Sequence, residues 1–106
     1  MRNGITAQHT LDSQGRPTGG RTTGTGIDLL WQDGPLGRGA ERKEPNGAFV
    51  EDVIDAARER IQFYQDNGFS CRENSIAITK LEEAMLWLDK RTQDREARQV
   101  EGTHSK

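Results

Sequence analysis

One cysteine, Cys71, stands in a chain of 106 residues. No internal disulfide can form, and a thiol in the first turn of a helix reads as structural, in a cytosolic setting. Histidine is nearly as scarce: His9 and His104 lie in stretches read as tails, far in sequence from Cys71, and give no metal-ligand spacing. The glycines of TGGRTTGTG lack the Gly-x4-Gly-Lys-Ser/Thr pattern of a phosphate loop, and no helix follows them. No nucleophile stands beside a base, and the helical carboxylates are spread over solvent faces rather than paired. An enzyme is therefore the less favoured class, and neither a cofactor nor a metal is expected. No apolar run is long enough to cross a membrane, and no signal-peptide pattern opens the chain. Excess positive charge is missing too. Fifteen Lys and Arg face seventeen Asp and Glu, a net charge of −2. That argues against a duplex nucleic-acid binder, which is normally basic, but leaves room for a small anion held by a few arginines.

Apolar residues make up 31% of the chain and charged ones 30%. A core this thin points to one domain with an arm, stabilised by association with further copies. Ten of the twelve glycines and all three prolines fall in residues 1–47, so long helices are excluded there. Residues 1–20 read as a loose arm with turns. Ile27–Gln32 reads as a strand with Ile27, Leu29 and Trp31 on one side, and Asp33-Gly34 as the turn after it. A short hairpin or small sheet of this kind must lean on helices or on another subunit. The first part carries +1 and the rest −3, too mild a split to name a partner.

Residues 48–106 change character. A helix is expected over about 48–67, with Asn46 as its N-cap and Asn67-Gly68 as its C-terminal stop. It carries two apolar stripes, Val50, Ile54, Ala57, Ile61 and Tyr64, and Phe49, Val53, Ala56, Arg60 and Phe63. Together they make a face wider than one partner helix covers. A second helix is expected over about 70–99, opened by a Ser70/Glu73 capping box. Its seam is Ile78, Leu81, Met85 and Leu88, at 3-4-3 spacing. The short connector makes the pair antiparallel. The fold class is α+β: a long antiparallel helical hairpin with a small N-terminal β element over residues 1–47, and helix packing that continues across subunits of an oligomer.

Arg91, Arg95 and Arg98 recur at 4-3 spacing, so three guanidiniums share one side of the second helix. Arginine forks bind phosphate bidentately; the plainer reading is cations that favour a helix C-terminus. Trp87 precedes them on the same face, able to stack on a base or to pack at a helix interface. Asn74 in the first turn could read a sugar or base edge, or simply be solvated. Tyr64, near the connector, is either a stacking ring or a core residue with a wet hydroxyl.

The run SCRENSIAITKLEEAMLWLDKRTQDREARQVEGTH, preceded by ARERIQFYQ, resembles the phage sponge family of Thoeris and CBASS anti-defence proteins over about residues 46–104. The Gly-rich front with GIDLLWQDGPLGRG is compatible with the small β portion of the longer, Thoeris-type members. The resemblance implies a non-enzymatic protein in the cytoplasm of the infected bacterial host. Such proteins sequester cyclic ADP-ribose isomers and, in some members, cyclic oligonucleotides. It also implies dimers and often hexamers, with the ligand between helices of neighbouring subunits. Asn74, Arg91 and Arg95 then fall on ligand-contacting positions, and Tyr64 near one where an aromatic ring stacks on adenine. Trp31 is added as a candidate pocket lid. The alternatives are a nucleotide-responsive regulatory module and a purely structural oligomerisation hairpin.

Overall fold

The computed structural model describes residues 4–34, 36–37 and 39–97. Arg98, the end of the expected second helix and the tail with His104 lie outside the described residues. The chain divides into two compact units, one running up to Phe49 and the other Val50–Ala97.

In the first unit the expected loose arm is instead part of a sheet. Strands β1 (Thr6–Leu11), β2 (Pro17–Gly24) and β3 (Ile27–Trp31) pair antiparallel in the order β1-β2-β3. Threonine drives this: Thr6, Thr10, Thr18, Thr22 and Thr23 are β-branched and fit a pleated surface even among glycines. Asp12 closes the first turn. Its carboxylate accepts the amide N–H of Gln14 at 2.8 Å and of Arg16 at 3.0 Å, and the Arg16 side chain at 3.0 Å. The β2–β3 register sets Ile27, Leu29 and Trp31 opposite Gly24, Thr22 and Gly20, so the three apolar residues share a face as their alternation requires. On the other face Arg21 grips Asp28 through two bonds of 2.8 and 2.7 Å.

Ala48 runs parallel beside Trp31, its N–H donating to Leu30 O at 2.7 Å while Gln32 N–H donates to Ala48 O at 3.0 Å. Gly47 permits that approach, because a Cβ there would lie 2.5 Å from the Trp31 carbonyl. Asn46 is spent on this join rather than on a helix cap. Its Oδ1 accepts Asp33 N–H at 2.8 Å, and its own N–H donates to Gln32 Oε1 at 2.9 Å.

The second unit is a helical hairpin, α1 (Val50–Asp66) packed on α2 (Arg72–Ala97). Ile78 is the one residue classed as buried among those described, at 9% exposure, and Leu81, Met85 and Leu88 are half-buried on the same seam. From α1 the half-buried residues include Val53, Ile54, Arg58, Ile61 and Gln65. The inward face therefore cuts across both expected stripes. Ala56, Ala57, Arg60, Phe63 and Tyr64 stay exposed.

The stop of α1 is a Schellman motif. Phe69 N–H donates to Tyr64 O at 3.0 Å, with Gly68 at φ 92°. The start of α2 differs from the expected capping box. Cys71, not Ser70, is the cap: Asn74 N–H donates to Cys71 Sγ at 3.4 Å and Ser75 N–H to Cys71 O at 3.1 Å.

Asp12 and Asp28 both titrate below the ordinary aspartate range. For Asp12 the main cause is the backbone N–H of Arg16, and for Asp28 the side-chain bond from Arg21. A depressed folded value means that these bonds contribute fully above the unfolded value and fade as pH falls through the folded one. The Gln14 and Arg16 amide resonances should therefore titrate together with a midpoint below about 3.9 in an NMR series. A midpoint at or above that value would show that the carboxylate does not hold the turn.

Candidate ligand site

The turn between α1 and α2 is wired by side chains as well as by backbone. Gln65, in the last turn of α1, uses both ends of its amide: Oε1 accepts Cys71 N–H at 2.9 Å and Nε2 donates to Ser75 Oγ at 2.8 Å. Asn67 Nδ2 donates back to Phe63 O at 2.7 Å. Tyr64 and Asn74, eight and two residues on either side of the Arg72 start and ten apart in sequence, are joined through one residue. Phe69 N–H bonds Tyr64 O, and Asn74 Nδ2 donates to Phe69 O at 3.3 Å. The Asn74 side chain is half-buried. Its NH2 is engaged on Phe69, and its Oδ1 is the acceptor end of the amide.

Tyr64 is exposed along one flank of α1. Arg60 Nε donates to its hydroxyl at 3.1 Å, and Phe63 meets it edge-on with centroids 6.2 Å apart. This end of the hairpin thus presents an aromatic ring, an amide oxygen and, beside them, Phe69 at 73% exposure.

Arg91 and Arg95 lie at the other end. Arg91 is exposed and Arg95 half-buried on α2. Seventeen residues separate Asn74 from Arg91, which at 1.5 Å of rise per residue is about 25 Å along the helix. Asn74 and Tyr64 come together in one chain; Arg91 and Arg95 come together with each other; the two pairs do not meet. Trp87 is not packed on α1: it is 65% exposed, with Leu86 at 67% beside it. Trp31 belongs to the sheet unit, half-buried at the end of β3, with its indole N–H donated to Thr22 Oγ1 at 2.8 Å.

Arg60, Gln65 and the Phe69 peptide are the residues around this site that patterning passed over. Arg60 falls within an apolar stripe by spacing, although its i,i+4 relation to Tyr64 is a readable signal. Among the described residues no three His, Cys, Asp or Glu side chains gather to hold a metal, and no helix is long and apolar enough to cross a membrane.

Fold and surface define a small α+β protein built on a helical hairpin, with large apolar side chains left outside the hairpin seam. The family model described as Acb2/Tad1, hairpin domain, matches residues 30–93, and the chain belongs to that family. A relative from Bacillus phage SBSphiJ7, named Thoeris anti-defense 1, is 57% identical over 61 residues. That match covers 58% of this chain and 43% of the relative, so the chain spans less than half of the relative's length.

Replacing Gln65 by Ala removes two neutral hydrogen bonds across the turn, so unfolding free energy should fall by about 1–2 kcal/mol. Gln65→Glu keeps the acceptor for Cys71 N–H and should recover part of that. Urea denaturation of the three proteins measures it; identical midpoints would show that the turn does not depend on this side chain.

Proposed function

We propose that the protein is a phage anti-defence sponge. It binds cyclic nucleotide messengers of bacterial immunity in the host cytoplasm and holds them without cleavage. Membership of the Acb2/Tad1 hairpin family and the name of the Bacillus phage relative support the anti-defence reading. Cyclic ADP-ribose isomers are the proposed ligands, with cyclic oligonucleotides as a further class. Sequestration asks only for tight binding. Adenine would stack on Tyr64 and hydrogen-bond Asn74, while Arg91 and Arg95 would grip the diphosphate with charge-assisted forks.

The observation that carries this reading furthest is the spacing along α2. A ligand the size of one dinucleotide does not bridge about 25 Å of helix. If all four residues serve one ligand, the turn of one copy must meet the arginine end of another. Large exposed side chains outside the hairpin seam, Trp87, Leu86 and Ile76 among them, provide surface for such assembly. A dimer is the smallest assembly that completes the site, and a hexamer would repeat it.

Each guanidinium bond to a dehydrated phosphate is worth about 1.5–3 kcal/mol. Arg95→Ala should therefore weaken binding of a cyclic ADP-ribose isomer by roughly tenfold or more in titration calorimetry. Arg95→Lys should restore only part, because an ammonium keeps the charge but not the fork. The ligand should be recovered chemically unchanged when the complex is heated. Wild-type affinity in a folded double variant, Arg91→Ala with Arg95→Ala, would remove the arginines from the site; a cleaved ligand would make the protein an enzyme.

A further inference from the structure

We infer that Arg60 is a positioning residue of the ligand site: it holds the Tyr64 ring in place and occupies one side of it, so that a base can stack only on the other. The inference rests on the proposed stacking role of Tyr64. Arg60 lies one turn before the ring, and its Nε donates to the Tyr64 hydroxyl at 3.1 Å. Its guanidinium carbon lies 5.0 Å from the centroid of Tyr64 and 5.0 Å from that of Phe63. Both distances are within the range of cation–π attraction. Phe63 closes the cluster edge-on to Tyr64, with the planes at 62°.

The sequence explains why this arginine stays on the rings. The residues that face it across a helical turn are Ala56, Ala57, Phe63 and Tyr64, none of them acidic. Arg58, two positions earlier, faces Asp55 instead and pairs with it at 2.9 Å. No carboxylate therefore stands one turn from Arg60 on its own helix to draw it away. A lone exposed tyrosine would rotate about χ1 and lose that freedom when a base stacked on it. Fixing the ring beforehand from both its hydroxyl and its face removes that cost. The guanidinium also selects the open face, because two planar groups cannot share one side of the ring.

Titration calorimetry with a cyclic ADP-ribose isomer tests this on the full chain, with a melting curve for each variant. Arg60→Ala should weaken binding roughly three- to tenfold with little change in melting temperature, and Tyr64→Phe, which removes the hydroxyl but keeps the ring, should act in the same direction. The double variant should bind no more weakly than the weaker single one, because both remove the same bond. Losses that simply add, or full affinity in Arg60→Lys together with an Arg60→Ala defect that vanishes in high salt, would overturn the inference in favour of plain long-range attraction. Wild-type affinity in Arg60→Ala beside lost binding in Tyr64→Ala would overturn it alone. Wild-type affinity in Tyr64→Ala would overturn it together with the stacking reading beneath it.

Discussion

A helix advances 1.5 Å per residue, and this constraint governs what the hairpin can do. It keeps the turn, with Tyr64 and Asn74, far from the arginine end of α2 within any one copy. Arg72–Ala97 contains neither glycine nor proline, the commonest causes of a sharp kink. The hairpin thus has two chemically different ends. One offers a ring and an amide, the other two guanidiniums. A nucleotide diphosphate has the same two halves, an aromatic base and an anionic linker. In the proposed reading a second copy joins the ends, and the thin intrachain core leaves large apolar side chains exposed on the hairpin.

The turn end is the more tightly organised of the two. Its backbone is held by the Schellman bond from Phe69 N–H to Tyr64 O, and Gln65 clamps Cys71 and Ser75 from the α1 side. Phe69 ties Tyr64 to Asn74 through its own N–H on one side and its C=O on the other. A site preset in this way loses little conformational entropy on binding, which suits the proposed role of sequestration. The Cys71 thiol has a local duty as the α2 cap, accepting the N–H of Asn74, so the cap also steadies the residue proposed to touch ligand.

The seam of α2 is legible in the sequence because 3-4-3 spacing of Ile78, Leu81, Met85 and Leu88 has one structural solution. The antiparallel hairpin follows from the shortness of its connector. The α1 face is less legible, since two apolar stripes compete and polar Arg58 and Gln65 take inward places through pairing with Asp55 and the turn. The sheet is hard to read from the sequence for a different reason. Glycine masks the strand tendency of threonine in PTGGRTTG, and only pairing with both neighbours makes that stretch a strand. Asn46 and Ser70 are good caps by residue type. They are displaced by longer-range partners, Gln32 and Asp33 in one case and Gln65 acting on Cys71 in the other, which no local rule foresees. The arginines are visible from spacing alone, and Tyr64 and Asn74 from residue type and place beside the connector, where each also has a plainer reading. Their link through Phe69 depends on backbone geometry that the residue types do not encode.

The central claim is that one ligand is held by the turn of one copy and the arginines of another. Complementation between two defective chains tests it most directly. One chain carries Tyr64→Ala with Asn74→Ala, the other Arg91→Ala with Arg95→Ala, and each alone should fail to bind a cyclic ADP-ribose isomer. After unfolding and refolding together in equal amounts, random pairing restores intact sites at about a quarter of positions. Calorimetry on the mixture should recover that fraction at wild-type affinity. A mixture that binds no more than its separate components would contradict a site shared between copies.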